Sequence, residues 1–239
     1  MRTNHRSTQS LSTQRSLVLR VAVGWAVLAS LILSGWALRG SWAPSVAEWD
    51  VARCVKVKDD SWSEPVPPVA PVALRLRDAG VRGLKQAWSN ASTMGHRDVA
   101  AHTLGWIGSP YARDALFELM KEGKRTASVK DLRLLTACLG YYHGPVTDVL
   151  LYQISADDGW PPVVRKLAVS DLIVNGGSEL ETRIERVISA DKNGVLAHTI
   201  MYRLGLRGSR DLDHLVNMYL DHPDKAIREE AREVLRWRQ

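Results

Sequence analysis

Leu104-Gly-Trp-Ile-Gly108 is followed by Ser109-Pro110 and then by a run to Met120 whose apolar residues fall at helical spacing. The Leu-x-x-x-Gly skeleton recurs at Leu76 to Gly80, Leu172 to Gly176 and Leu204 to Gly208, with a weaker copy ending at Gly144. The interval between these glycines is about thirty residues, the length of one helical hairpin. A Leu and the residue four positions on share a helix face, so the Leu is expected as the last inward-facing residue of a first helix. The Gly then takes the left-handed conformation that ends helices. A second apolar-periodic run comes after it each time: Ala115, Leu116, Leu119 and Met120 after Gly108; Val149, Leu150, Tyr152 and Ile154 after Gly144; Leu180, Ile184, Val187 and Ile188 after Gly176; Leu212, Leu215, Val216 and Tyr219 after Gly208. The unit is helix, glycine turn, helix.

Working outward from this block, the array is expected over residues 71–239, as about five helical hairpins closed by a terminal helix. That helix carries Ile227, Ala231, Val234 and Leu235 on one face and Arg228, Glu229, Arg232, Glu233 and Arg236 on the other. A last unit has no neighbour beyond it and needs such a polar outer face. Helix starts are expected at Ser128 with Asp131, at Pro161-Pro162, and at Ser178 with Glu181.

Ahead of the array the composition changes. Five of the nine Trp (Trp25, Trp36, Trp42, Trp49 and Trp62) precede residue 63. Residues 1–20 form a polar tail with Arg2, Arg6, Arg15 and Arg20 and no acid, and are expected to be a disordered cytoplasmic tail. Residues 21–38 hold no charge. As a helix they span about 27 Å, near the lower limit for crossing a bilayer. Basic residues precede the segment, while Glu48, Asp50, Asp59 and Asp60 come after it. This asymmetry predicts a single-pass signal-anchor, N-terminus cytoplasmic, with the C-terminal domain periplasmic or otherwise extracytoplasmic. A cleaved signal peptide is the competing reading, with Ser45-Val-Ala47 as its cleavage site, although the apolar core exceeds the usual ~7–15 residues. Within the segment Ala22, Ala26, Ser30 and Ser34 make a stripe of small residues, which predicts packing against a membrane-embedded helix partner or a second copy. Residues 39–70 are expected to be a Trp- and Pro-rich linker, with Pro65, Pro67, Pro68 and Pro71 either as a semi-rigid spacer or as part of an irregular loop packed on the first repeat.

The net charge is +6. Setting aside the four tail arginines leaves +2, so the array has no strong basic excess and nucleic acid is not an expected partner. Cys54 and Cys138 belong to no CxxC pair. No His-Glu-x-x-His, P-loop, Gly-x-Ser-x-Gly or dinucleotide fingerprint is present, so no catalytic residue, cofactor or metal is expected. Asp211, Asp213 and His214 are the one candidate cluster, read foremost as acids at a helix start. His102 and His198 are read as inter-helix hydrogen-bonding residues, and Cys138 as buried and unpaired.

These units resemble HEAT repeats, specifically the HEAT-like repeats of the phycobilisome-lyase type. The best-matching piece is Asp98-Val-Ala-Ala-His-Thr-Leu-Gly-Trp-Ile-Gly108, with Leu204-Gly-Leu-Arg-Gly208 second. Leu139-Gly-Tyr-Tyr-His-Gly144 departs from the pattern by one extra residue. The resemblance implies an all-α, α-α superhelix, here preceded by the transmembrane helix. It implies a non-enzymatic binding scaffold, with a bilin-lyase-like enzyme or cofactor chaperone as the alternative. In such stacks the second helices line the concave side, which would place Arg113, Glu118, Asp148, Glu181, Glu185, Asp213 and Asn217 on a polar, acid-leaning strip facing a protein partner.

Overall fold

The computed structural model describes residues 39–58 and 69–237. The segment 21–38 expected to cross a membrane, its small-residue stripe and the tail lie outside the described residues, as does the Pro-rich stretch 59–68. Among the described residues every regular element is helical, and no helix is long and apolar enough to cross a membrane. The chain divides between Ala43 and Pro44. Of the first unit only 39–43, the start of helix α1 (Arg39–Lys58), are described; the second unit is Pro44–Gln239.

Five helix pairs and a final helix make up that second unit beyond α1. The pairs are α2 (Pro71–Leu76) with α3 (Asp78–Ser89), α4 (Met94–Ile107) with α5 (Pro110–Gly123), and α6 (Val129–Leu139) with α7 (Pro145–Ala156). Then come α8 (Pro162–Asn175) with α9 (Leu180–Ala190), and α10 (Ala197–Arg207) with a short 3-10 turn and α11 (Asp213–Asn217). The last helix is α12 (Lys225–Trp237). First helices α4, α6, α8, α10 and α12 each pack on the next, and α3 with α5, α7 with α9 and α9 with α11 do so among the second helices. The result is two layers of helices with the core between them.

That core is aliphatic. Leu104, Leu116, Leu135, Leu139, Leu151, Leu172 and Leu204 are fully buried, each contributing about 1.5–3 kcal/mol by leaving water. Gly108, Gly176 and Gly208 end their first helices at φ 72°, 66° and 70°, as the repeated skeleton requires. Ser128 caps α6 by accepting from the Asp131 amide at 3.1 Å, also as expected.

Several boundaries differ from the sequence expectation. The first hairpin does not turn at Gly80. The break is at Arg77, φ 50°, and Gly80 lies inside α3. There a Cβ would come within 3.2 Å of the Ala73 carbonyl oxygen and of Leu76 Cβ, so the glycine serves a close helix contact rather than a turn. Ser178 does not cap α9; Glu179 occupies the cap position, without a side-chain bond. Residues 39–58, expected from the sequence to belong to a linker, are helical despite Pro44. Ala47 and Val51 are buried on this helix, and the fully buried Asp50 accepts from the amides of Val72 and Ala73 at 2.7 and 3.1 Å. That carboxylate satisfies two free donors at the start of α2 and complements its dipole. α1 is thus the first packed element of the array.

Side-chain bonds at one repeat position tie the ends of α6, α8 and α10 each to the end of the first helix before it. Tyr142 donates to the Leu104 carbonyl at 2.5 Å, Asn175 to the Tyr142 carbonyl at 3.3 Å, and Arg207 to the Ile173 carbonyl at 2.6 Å. Each acceptor lies at or just past the C-terminal end of a helix, where carbonyls lack intrahelical donors. The three donors occupy one position of the repeat, immediately before the turn glycine or, in the unit with an extra residue, two before it. One residue earlier stand Trp106, Tyr141, Val174 and Leu206, and at the corresponding place in α12, Trp237; all five are exposed.

Candidate functional site

The second helices carry every residue of the expected polar strip, and the structure sorts them into three groups. On α5, Glu118 is exposed and bonds Lys85 of α3 at 2.6 Å, with Glu122 a further 4.0 Å contact for the same ammonium. Arg113 turns to its neighbour Asp114, donating through Nε and Nη2 at 2.9 and 2.7 Å. Between α3 and α5 lies an open cleft of about 550 Å³ lined by Arg82, Lys85, Tyr111, Asp114 and Glu118. Both signs of charge face it.

On α7 the expectation fails. Asp148 is 2% exposed and does not belong to a surface strip. Its Oδ2 lies 3.8 Å from Nη1 of Arg183, itself buried on α9, and Arg183 is also held by Glu179 at 2.7 Å. Burial pushes the Asp148 carboxyl above its usual range, against the pull of Arg183, Asn175 and His143. The reason lies in packing: α7 and α9 are neighbours in the second-helix layer, and helix periodicity alone cannot tell which polar residue the neighbour covers. Asp148 is a structural ion-pair partner.

On α9 and α11 the structure brings together residues that are distant in sequence. Glu181 and Glu185, one turn apart on α9, face His214 of α11. His214 Nε2 is 3.1 Å from Glu181 Oε1 and 3.6 Å from Glu185 Oε1. The carboxylates of Glu181 and Glu185 and the imidazole each offer one atom to a cluster whose members lie within 4.8 Å of one another. The candidate cluster Asp211, Asp213 and His214 is therefore not how the histidine is used. Asp211 engages it through its backbone carbonyl, 3.0 Å from Nδ1. Asp213 and Asn217 lie on the same short helix, half-buried and exposed respectively.

The other singled-out residues are structural. His102 of α4 reaches Tyr141 Oη at 3.2 Å and stacks on its ring, and its Nδ1 is 3.5 Å from Cys138 Sγ. His198 of α10 meets Glu230 of α12 at 2.5 Å. Both bridge successive first helices, as read from the sequence. Both cysteines are free, and Cys138 is fully buried, which pushes its thiol well above the ordinary range.

Sequence reading missed the buried charges that join one pair to the next. Arg97 bonds Asp131 at 2.7 Å across 34 residues. Arg165 donates to the Ser155 carbonyl at 2.9 Å and lies 3.9 Å from Asp191, whose carboxylate also accepts from the amides of Val195 and Leu196. The one signal in the sequence was an acid recurring near helix starts, which alone does not name the cation one repeat away. Comparison of the chain with protein-family models, curated proteins and solved structures gives no match.

Proposed function

We propose that this chain is a membrane-anchored, HEAT-like repeat scaffold that binds a protein partner outside the cytoplasm as part of a membrane-associated complex. The observation that carries this reading is the layered repetition itself. One helix-turn-helix unit recurs, its first helices in one layer and its second helices in another. The second layer presents exposed polar residues at Glu118, Glu181 and Asn217. A stacked array of this kind offers an extended surface rather than a single enclosed pocket. The charges on it, some already paired within the chain, suit a polar partner surface and would fix its register more than its affinity.

The anchor is residues 21–38. Their freedom from charge, the arginines before them and the acids after them support a cytoplasmic N-terminus. The stripe Ala22, Ala26, Ser30 and Ser34 supports a helix partner in the bilayer, either a second copy or a subunit of the complex. Affinity isolation from detergent-solubilised membranes tests the binding surface. Glu118→Lys, Glu181→Lys and Glu185→Lys together are expected to lower partner capture at least ten-fold while the circular dichroism spectrum stays unchanged. Undiminished capture by a folded triple variant would move the site elsewhere. A visible chromophore band on the purified wild-type chain would favour the lyase-like alternative.

A further inference from the structure

We propose that Glu181, Glu185 and His214 form a divalent-metal site, with Zn²⁺ the ion their chemistry suits best, clamping α9 to α11. The distances fit such an ion. Around a tetrahedral centre with ligand bonds of ~2.0–2.1 Å, ligand atoms stand about 3.3 Å apart. The two nitrogen-to-oxygen separations are 3.1 and 3.6 Å. Imidazole nitrogen and carboxylate oxygen are both zinc ligands, and three protein ligands leave a fourth position open.

The placement of the imidazole proton points the same way. The Asp211 carbonyl, 3.0 Å from Nδ1, can only accept, so Nδ1 carries hydrogen. In the neutral ring Nε2 then holds a lone pair, and that lone pair faces two carboxylates. Nε2 itself is covered, while the Glu181 and Glu185 side chains are 59% and 44% exposed, so an ion can enter the cluster from solvent. Pinning the far nitrogen of a metal-bound histidine to a backbone carbonyl is also the usual way such a ligand is oriented.

The site also lies where a clamp would act. Glu181 and Glu185 are four residues apart and share a face of α9, while His214 comes from the next second helix, so the ion would join two units of the array. Asp213 and Asp211 add negative potential nearby. The charge of Arg183, on the same helix, is directed to Asp148 and Glu179. The proposal does not depend on the partner-binding reading, because it is measured on the isolated chain.

The test is calorimetric titration of the full chain in detergent micelles, stripped with chelator, using Zn²⁺ alone, and a parallel absorbance titration with Co²⁺. One ion per chain is expected, with a rise in melting temperature on binding. His214→Gln and Glu185→Gln should each weaken Zn²⁺ at least ten-fold and abolish that rise. Asp211→Asn, which keeps the backbone carbonyl, should bind as wild type does. Melting of the metal-free variants checks that they fold, and Glu181→Gln replaces any that does not. Absence of stoichiometric Zn²⁺ binding, or equal binding by wild type and His214→Gln, would overturn the site.

Discussion

A single side chain can show how burial is balanced between repeats. Asp171 of α8 lies against Gly140, where a Cβ would stand 2.4 Å from its Oδ2 and displace the carboxylate. Burial raises its pKa from 3.8 to about 6, with Arg203 pulling the other way. Between those values the folded chain holds a proton that the unfolded chain has released. Stability from this group is therefore present at low pH and lost as pH climbs from about 4 to about 6. Asp171→Asn removes that dependence. Thermal melts at stepped pH should show the wild type losing more melting temperature across this interval than the variant, and the variant should be the more stable at pH 7. Equal slopes would mean the carboxyl is not desolvated in the folded state. None of this was legible in the sequence, where Asp171 reads as one more polar residue on an amphipathic helix. The same limit hid the use of His214. A sequence scan groups it with Asp211 and Asp213 beside it, whereas its carboxylate neighbours, Glu181 and Glu185, are about thirty residues back, one repeat away.

The elements were read most accurately where local chemistry decides. Gly108, Gly176 and Gly208 sit at positive φ because a helix must stop there and glycine has no Cβ to strain that conformation. Reading failed where a neighbour decides. Gly80 shares the skeleton but serves close packing of α2 on α3, and the same sequence spacing serves both purposes. α1 went unread because its buried stripe is narrow, with Ala47, Asp50 and Val51 doing the packing and Pro44 and Gly40 signalling irregular chain. Gly83 tests how tightly α1 is held. A Cβ there would lie 1.9 Å from the Pro44 carbonyl oxygen. Gly83→Ala should cost about 3 kcal/mol in chemical denaturation, at the upper end for overpacking, because the obstacle is backbone. Trp106→Ser, at a 52% exposed member of the apolar row on the first helices, should stay within about 0.5 kcal/mol. If Gly83→Ala proves as mild as Trp106→Ser, α1 is not seated against α3.

At the scale of the whole molecule, the proposed scaffold is a membrane tether joined to a layered helical array. The layering was legible because the repeat is: five copies of the Leu-x-x-x-Gly skeleton predict five pairs, and the described residues contain five pairs and a further helix. That helix packs on α10 with Ala231 and Val234 buried, and Arg232, Glu233 and Arg236 are exposed. Which second-helix residues stay exposed was not legible, since Asp148 and Glu181 look alike until α9 covers one of them. The compartment in which a partner is met, and the value of an extracytoplasmic metal clamp, depend on which side of the membrane the array occupies. The most direct measurement is a topology assay in cells with paired reporters fused after Gln239, one active only outside the cytoplasm and one active only within it. The proposed topology predicts activity from the outside reporter alone, with the fusion retained in the membrane fraction after alkaline extraction. Activity from the cytoplasmic reporter alone, or release of the chain from the membrane, would contradict it.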